Sequence, residues 1–383
     1  MAEKNINIGK TTDGLLLKLL QDKFRPRLKK VVNSLKDDDH TSSPFAALVD
    51  LTSRCNLGCS WCIDKYVLSN NEIPINIMLN LLKEFKEMEI KSIVYFGGGE
   101  PLMYSGINEV LDKTYEYGIN YAINTNGIFL KKALKNIANT CSWVRISLDA
   151  GSEEKYKELH DGKDFFKGII SDVNLLNQTK KGTVGTSFVV MDNNIDDIYT
   201  SAKLMKSIGC DFIQFKPMYI PNVKNERSLD KYRKEQNKKI EEALNRSKCL
   251  EDKSFNVLVT GSMKTLLNDQ PINQSKTYSY CVAQQLIPLI TPSGVYTCPN
   301  LRGSKKGWIG DINKNSFLDI WKSQTRKCVI KNLNPSQDCS LSCLRHQINV
   351  VVNSLLECEK MGVHLLDLID EIKGEEISDR YFI

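Results

Sequence analysis

Three cysteines crowd into Cys55-Asn56-Leu57-Gly58-Cys59-Ser60-Trp61-Cys62, and the next cysteine is Cys141. Three thiolates on one loop suit an iron–sulfur cluster that leaves one iron without a protein ligand, or a catalytic zinc with an open position. A closed structural zinc site asks for a fourth Cys or His nearby, and the nearest, His40, lies in the acidic stretch Asp37-Asp38-Asp39 upstream. A second group comes late in the chain: Cys281, Cys298, Cys339 and Cys343, with Cys328 and Cys358 in the same region. Gly98-Gly99-Glu100-Pro101 offers a turn at which the backbone can approach a partner closely.

These residues need a scaffold. From Phe45 short apolar runs alternate with segments of helical period. Strands are expected at 47–51, 92–96, 121–124, 143–148, 186–190 and 212–215, and helices at 75–88, 107–117, 130–138, 166–177 and 195–207. Strands separated by helices imply a parallel sheet with right-handed crossovers, an α/β fold of the partial (β/α)6 barrel kind. In such barrels functional residues sit at the C-terminal ends of strands, where the cysteine loop and the glycine turn both fall.

The alternation stops after Pro217. A polar helix-like stretch (228–243) then leads to turns, cysteines and a hairpin at 289–296 around Pro292-Ser293-Gly294. The expected organisation is a helical appendage and linker (1–44), the barrel core (45–250), a small α+β domain (251–347) and a C-terminal helix and tail (348–383). Leu15, Leu16, Leu17, Leu19 and Leu20 mark the helix of the appendage.

The chain has 383 residues, 41% hydrophobic and 26% charged, ample for a large core. No secretory signal or membrane-length apolar run is present, so a cytoplasmic protein is expected. In that compartment twelve cysteines point to metal or redox chemistry and not to disulfides. The net charge is +6, and the basic runs at 23–30 and 231–239 lack the clustering and interleaved aromatics of a nucleic-acid footprint, so neither DNA nor RNA is an expected partner.

The C-x3-C-x2-C loop after the first strand, with Trp61 before its last cysteine, resembles the signature of the radical S-adenosylmethionine (radical SAM) superfamily. The resemblance implies a 4Fe-4S cluster on Cys55, Cys59 and Cys62, with the cofactor's amino and carboxylate groups on the open iron. Its one-electron cleavage would yield a 5'-deoxyadenosyl radical that abstracts hydrogen from unactivated C–H bonds. Gly98, Gly99, Glu100 and Pro101 look like the family's GGEP motif, whose backbone and carboxylate meet the methionyl ammonium. Asn126, Ser147 and Asn193 look like further cofactor-lining positions.

The late cysteines are similar to the SPASM or shorter twitch extension of that superfamily, implying one auxiliary 4Fe-4S cluster on Cys281, Cys298, Cys339 and Cys343. A structural four-cysteine zinc site is the alternative, and Cys358 is an alternative ligand. A closed auxiliary cluster implies electron transfer and net oxidation of a carbohydrate-like small molecule, a sugar or nucleotide sugar, as in the twitch-bearing aminocyclitol dehydrogenases. Epimerisation would instead need a thiol that returns hydrogen, for which Cys249, Cys210 and Cys141 are the candidates, although lone cysteines are mostly small buried hydrophobes. The rival readings are a maturase acting on a ribosomally made peptide and a non-catalytic iron–sulfur electron carrier. The reductant implied is a flavodoxin or ferredoxin. Glu153, Glu154, His160, Asp161 and Lys216 are the general acid or base candidates.

Overall fold

A computed structural model describes residues 42–219, 236–268, 280–339 and 345–360, together with Lys30, Lys276, Tyr278 and Cys343. The leucines at 15–20, the acidic linker and the tail beyond residue 360 lie outside the described residues, as does most of the polar stretch before Asn237.

Seven short apolar strands, each parallel to its neighbour, form the barrel part of the sheet: β1 (Ala46–Val49), β2 (Ser92–Tyr95), β3 (Asn120–Thr125), β4 (Trp143–Ser147), β5 (Thr183–Val190), β6 (Phe212–Pro217) and β7 (Asn256–Val259). The connecting helices include α1 (Ile75–Glu87), α2 (Ile107–Glu116), α3 (Leu134–Thr140), α4 (Glu153–Leu159), α5 (Phe166–Thr179), α6 (Asp197–Ser207) and α7 (Asn237–Lys248). Each longer helix turns one stripe to the sheet. In α1 that stripe is Met78, Leu81, Leu82 and Phe85, the i, i+3, i+4, i+7 spacing that brings side chains onto one helical face. Val144, Ile146, Phe188 and Phe215 meet such stripes from the strand side.

The expected barrel strands form, and a seventh follows them. β7 pairs with β6 in parallel register, Phe212 opposite Asn256, so the alternation continues past the boundary expected near residue 250. Its apolar run, Val257-Leu258-Val259, is only three residues long and has Leu258 exposed, too brief to register as a buried strand.

The C-terminal part grows from the opposite edge of the same sheet. β8 (Leu289–Thr291) lies parallel to β1, with Leu48 opposite Leu289, and turns through Pro292-Ser293-Gly294 into the antiparallel β9 (Gly294–Tyr296), followed by β10 (Trp308–Gly310). Gly294 has φ +130°, and a Cβ there would stand 2.4 Å from the Trp308 ring nitrogen, so only glycine lets β10 pass. α8 (Gly261–Leu267), α9 (Phe317–Lys322), α10 (Gln324–Asn332), α11 (Pro335–Asp338) and α12 (His346–Lys360) complete the described elements.

The core runs without a seam from barrel to C-terminal part. Phe317 meets Phe85 edge-on at 5.1 Å between ring centres, Leu318 N–H donates to Glu84, and the Trp321 indole donates to Ser42 O. Arg302, four residues after Cys298, is the polar counterpart of that packing. It forks onto Asp50 at the end of β1, Nε to Oδ2 at 2.7 Å and Nη2 to Oδ1 at 3.1 Å, while Nη1 pairs with Asp64, two residues after Cys62. Its guanidinium lies 5.1 Å from the Phe96 ring centre.

Removing one partner of a buried ion pair leaves an uncompensated charge. Arg302→Met should therefore lose about 3–5 kcal/mol in urea unfolding, and adding Asp50→Asn should restore roughly half or more of that loss, the mark of coupling in a double-mutant cycle. A single variant as stable as the parent would show that this pair does not fasten the C-terminal part to the barrel.

Candidate active site

The cysteine loop leaves β1 through Asp50, Leu51 and Thr52, and a short 3-10 turn at Lys65–Val67 ends it. Cys62 N–H bonds to Cys59 O at 3.2 Å, folding the loop on itself, and all three thiols are half-buried. Burial pushes each thiol up. For Cys59 the value reaches about 12, with Asp149 and the other two cysteines adding negative charge. Thiols so placed favour a cationic metal group, which supplies the missing countercharge.

The glycine turn after β2 presses against this loop. A Cβ on Gly99 would fall 2.2 Å from Arg54 O, and one on Gly98, at φ +83°, 2.7 Å from Asp50 Oδ2. Glu100 N–H donates to Arg54 O at 2.7 Å, next to Cys55. The Glu100 carboxylate is buried and accepts from Leu102 N, Thr125 Oγ1 and Asn126 N at 3.0, 2.6 and 2.7 Å. Burial pushes it up, and those three hydrogen bonds pull it back. A carboxylate has about four acceptor positions, so three are already taken by its own chain. Its main observed role is to tie the turn after β2 to the turn after β3. Asn126 extends the tie by donating from Nδ2 to Asn56 Oδ1 at 2.8 Å, beside Cys55.

On β4, Ser147 Oγ lies 3.3 Å from Ser187 Oγ of β5. Asp149, held at φ +57°, accepts from the Trp61 indole at 3.1 Å and from Val189 N at 2.7 Å, joining the cysteine loop to the ends of β4 and β5. Asn193 is exposed and takes no part. Its neighbour Asn194 is buried, donates to Asp149 O and Val189 O, and accepts from Met191 N. Choosing between adjacent asparagines from sequence requires the exact turn after β5, which periodicity does not supply.

His160 packs between Trp61 and Tyr156, with Nδ1 3.7 Å from Cys59 Sγ. Burial pushes it down to about 4, which keeps the imidazole neutral at neutral pH. Glu153 pairs with Lys157 and Lys167, while Glu154 and Asp161 are exposed. Lys216, by contrast, faces into the barrel.

The lone cysteines do not join this site. Cys141 and Cys210 are buried two residues before β4 and β6, and exposed Cys249 caps α7 before β7. All three stand at the N-terminal ends of strands, opposite the cysteine loop. Cys141 donates to backbone carbonyls at Trp143 and Tyr121, as a structural thiol does.

Cys281, Cys298, Cys339 and Cys343 line one cavity beside Tyr278 and Arg345. Burial, reinforced by Cys298 and Cys343, pushes Cys281 to about 12 and Cys339 to about 11. Asn349 of α12 donates to Cys281 Sγ at 3.4 Å. Cys328 is exposed on α10, outside that cavity. Cys358 falls on α12, and its side chain is outside the described set. Among the described residues no three Cys, His, Asp or Glu side chains converge tightly enough for a single metal ion.

Sequence reading did not anticipate Asp50, Asn194 or Arg302, and it met Asp149 only within Ser147-Leu148-Asp149, of which it singled out the serine. The one available signal was a charge at each strand end, and it does not say which charges turn inward. No helix among the described residues is long and apolar enough to cross a membrane.

Residues 49–205 match the radical SAM superfamily. The chain is 29% identical over 180 residues to a GTP 3',8-cyclase of Clostridium perfringens (strain 13 / Type A), covering 44% of this chain and 55% of the relative. It is 28% identical over 179 residues to that of Helicobacter pylori (strain ATCC 700392 / 26695), covering 44% and 54%. It thus spans about half the length of the curated relatives it matches. Among solved structures, Streptococcus suis SuiB bound to S-adenosylmethionine superimposes with a TM-score of 0.62 at 18% identity, over 86% of this chain and 78% of that one. The protein anSMEcpe with bound AdoMet gives 0.55 at 17% identity, over 86% and 100%. Residues 49–205, which hold the cysteine loop and the glycine turn, thus carry a radical SAM domain, and the two solved structures share the fold.

Proposed function

We propose that the protein is a radical SAM oxidoreductase that removes hydrogen from a small, carbohydrate-like molecule. The observation that carries this reading is the joint geometry of the two turns: Arg54 O and Asn56 lock the Gly98–Glu100 turn and Asn126 directly against Cys55. Cys55, Cys59 and Cys62 would hold a 4Fe-4S cluster, and the Gly98–Pro101 turn, Asn126 and Ser147 would line the cofactor. The bound group supplies one-electron cleavage of the cofactor's sulfonium and hydrogen abstraction from an unactivated C–H bond. Trp61, His160 and Tyr156 pack in a row beside Cys59 on one side of the loop.

Cys281, Cys298, Cys339 and Cys343 would hold one auxiliary 4Fe-4S cluster, a fully ligated electron acceptor. Oxidation is favoured over epimerisation because Cys141, Cys210 and Cys249 stand at the wrong ends of their strands to return a hydrogen atom to a substrate. A peptide substrate is the second reading, supported by the fold shared with SuiB bound to precursor peptide SuiA, at a TM-score of 0.59 over 92% of this chain. A flavodoxin or ferredoxin is the proposed reductant.

Anaerobically reconstituted protein should hold about eight irons with matching sulfide, and a Cys55→Ala, Cys59→Ala, Cys62→Ala variant about half of that. Stoichiometric zinc without charge-transfer absorption would sink the two-cluster assignment. Dithionite-reduced protein should release methionine and 5'-deoxyadenosine slowly even without substrate, and a fully reconstituted sample that makes neither would refute the enzyme class.

Glu100→Ala should weaken S-adenosylmethionine binding by roughly tenfold or more while iron content stays constant, since three buried donors lose their acceptor and the turn loosens. Unchanged affinity would show that the Glu100 tie does not shape the cofactor site.

With a turned-over substrate in hand, dehydrogenation gives a product two hydrogens lighter, and Cys339→Ala with Cys343→Ala should abolish it. Solvent deuterium at an inverted carbon would instead establish epimerisation, and modification of a peptide with sugars inert would establish the maturase reading.

A further inference from the structure

Side chains on a strand alternate between faces, so the parallel registers define which residues share the barrel lumen. Asn124 lies opposite Arg145, Arg145 opposite Gly185, Ser187 opposite Gln214 and Val189 opposite Lys216. Stepping by two along each strand puts Asn124, Arg145, Ser187, Gln214 and Lys216 on one face. The intervening residues Val144, Ile146, Phe188 and Phe215 are buried on the helix side.

The lumen face therefore carries two cations. Arg145 Nη1 donates to Gln214 Oε1 at 2.6 Å, a neutral acceptor, and no carboxylate among the described residues lies within ion-pair distance of either Arg145 or Lys216. Asp149 faces Lys216 from the end of β4 but already accepts from Trp61 and Val189. Surrounding protein pushes Lys216 down to about 8, with Arg145 adding repulsion and Asp149 opposing it, and pushes Arg145 down to about 10. Asn124 Oδ1, in the same row, is buried without a hydrogen-bond partner. Half-buried cations that repel each other, with no carboxylate within ion-pair distance and only the already engaged Asp149 facing one of them, are costly unless a ligand supplies the charge.

We propose that Arg145, Gln214 and Lys216 form an anion subsite in the barrel lumen that binds a phosphoryl group of the substrate. This deepens the functional reading and rests on it: the molecule oxidised is a phosphorylated small molecule. Two cations and an amide in one cleft match a dianion, and the planar guanidinium fork with a lysine point charge is the donor set that suits phosphate. The cofactor's own carboxylate is a poorer candidate. On the proposed reading it is anchored with the amine at the Cys55–Cys62 loop, whereas Arg145 lies one layer deeper than Ser147 on β4 and holds Gln214 there.

The test is anaerobic calorimetric titration of inorganic phosphate and pyrophosphate into reconstituted protein, with and without saturating S-adenosylmethionine and with acetate at equal ionic strength as the control. Phosphate or pyrophosphate should bind and acetate should not. Arg145→Gln and Lys216→Met should each weaken binding by roughly tenfold or more, as loss of a charge-assisted contact does, while Lys216→Arg retains it. In anion-free buffer Lys216→Met should melt no lower than the parent, because it removes an uncompensated charge, and phosphate should raise the melting temperature of the parent alone. That separates a lost site from a lost fold.

Phosphate binding no better than acetate, or equal in the parent and both variants, overturns the proposal. So does weaker S-adenosylmethionine binding in the variants with phosphate binding unchanged, which would give these cations to the cofactor's carboxylate. Phosphate binding that persists in a parent protein unable to cleave S-adenosylmethionine would uphold the subsite and reject the radical reading. Cleavage without phosphate binding would do the reverse.

Discussion

The contact on which the arrangement turns is the fork of Arg302 onto Asp50 with Asp64 beside it. Asp50 ends the first strand, Asp64 follows Cys62, and Arg302 follows Cys298, so one guanidinium ties the start of the cysteine loop, its end and the strand turn that carries a cysteine of the second group. Burial alone pushes the Asp50 carboxyl well up, and Arg302 is what draws it back toward the charged form. Gly97 and Gly98 pack against the same carboxylates, at distances a side chain would not tolerate. The glycine turn is therefore shaped by the ion pair as much as by any ligand it would meet.

A second tier of polar contacts then spreads across the strand ends. Glu100 joins the second and third strand ends, Asn126 the third strand end and the cysteine loop, and Asp149 that loop with the fourth and fifth. Each link sets a side-chain acceptor against a backbone, hydroxyl, amide or indole donor, which fixes these polar groups at the rim. Preorganisation of this kind is what a site needs if it is to hold a reactive group away from water.

The parts legible in the sequence were those with a period or a fixed spacing. The apolar stripe of Ile75–Glu87, the buried strands from Ala46–Val49 to Phe212–Pro217, the cysteine loop and the glycine turn all announce themselves over a few residues. What stayed hidden depends on contacts between distant segments. Nothing local distinguishes Arg302 from the lysines that follow it, Asn194 from Asn193, or inward Lys216 from a surface lysine. Asn256–Val259 was missed for another reason: on an edge, with Asn256 and Leu258 exposed, a strand needs only a very short apolar run, here Val257-Leu258-Val259. The lone cysteines misled because residue type suggests reactivity, while position, at the foot of the strands, decides it.

The pairing of the first strand with Leu289–Thr291 bears on how the chain reaches this state. β1 is an interior strand of a ten-stranded sheet, yet one of its neighbours arrives about 240 residues later, Leu48 against Leu289. Until that segment has been synthesised, the barrel half presents an unpaired, apolar strand edge, the kind of template on which chains associate with one another. The closing contact is also among the longest-range in the molecule, and long-range parallel pairing is slow to form. The C-terminal hairpin thus serves the barrel as an edge cover as well as a carrier of cysteines, and the interval between making the one and making the other is when the nascent chain has most need of a chaperone.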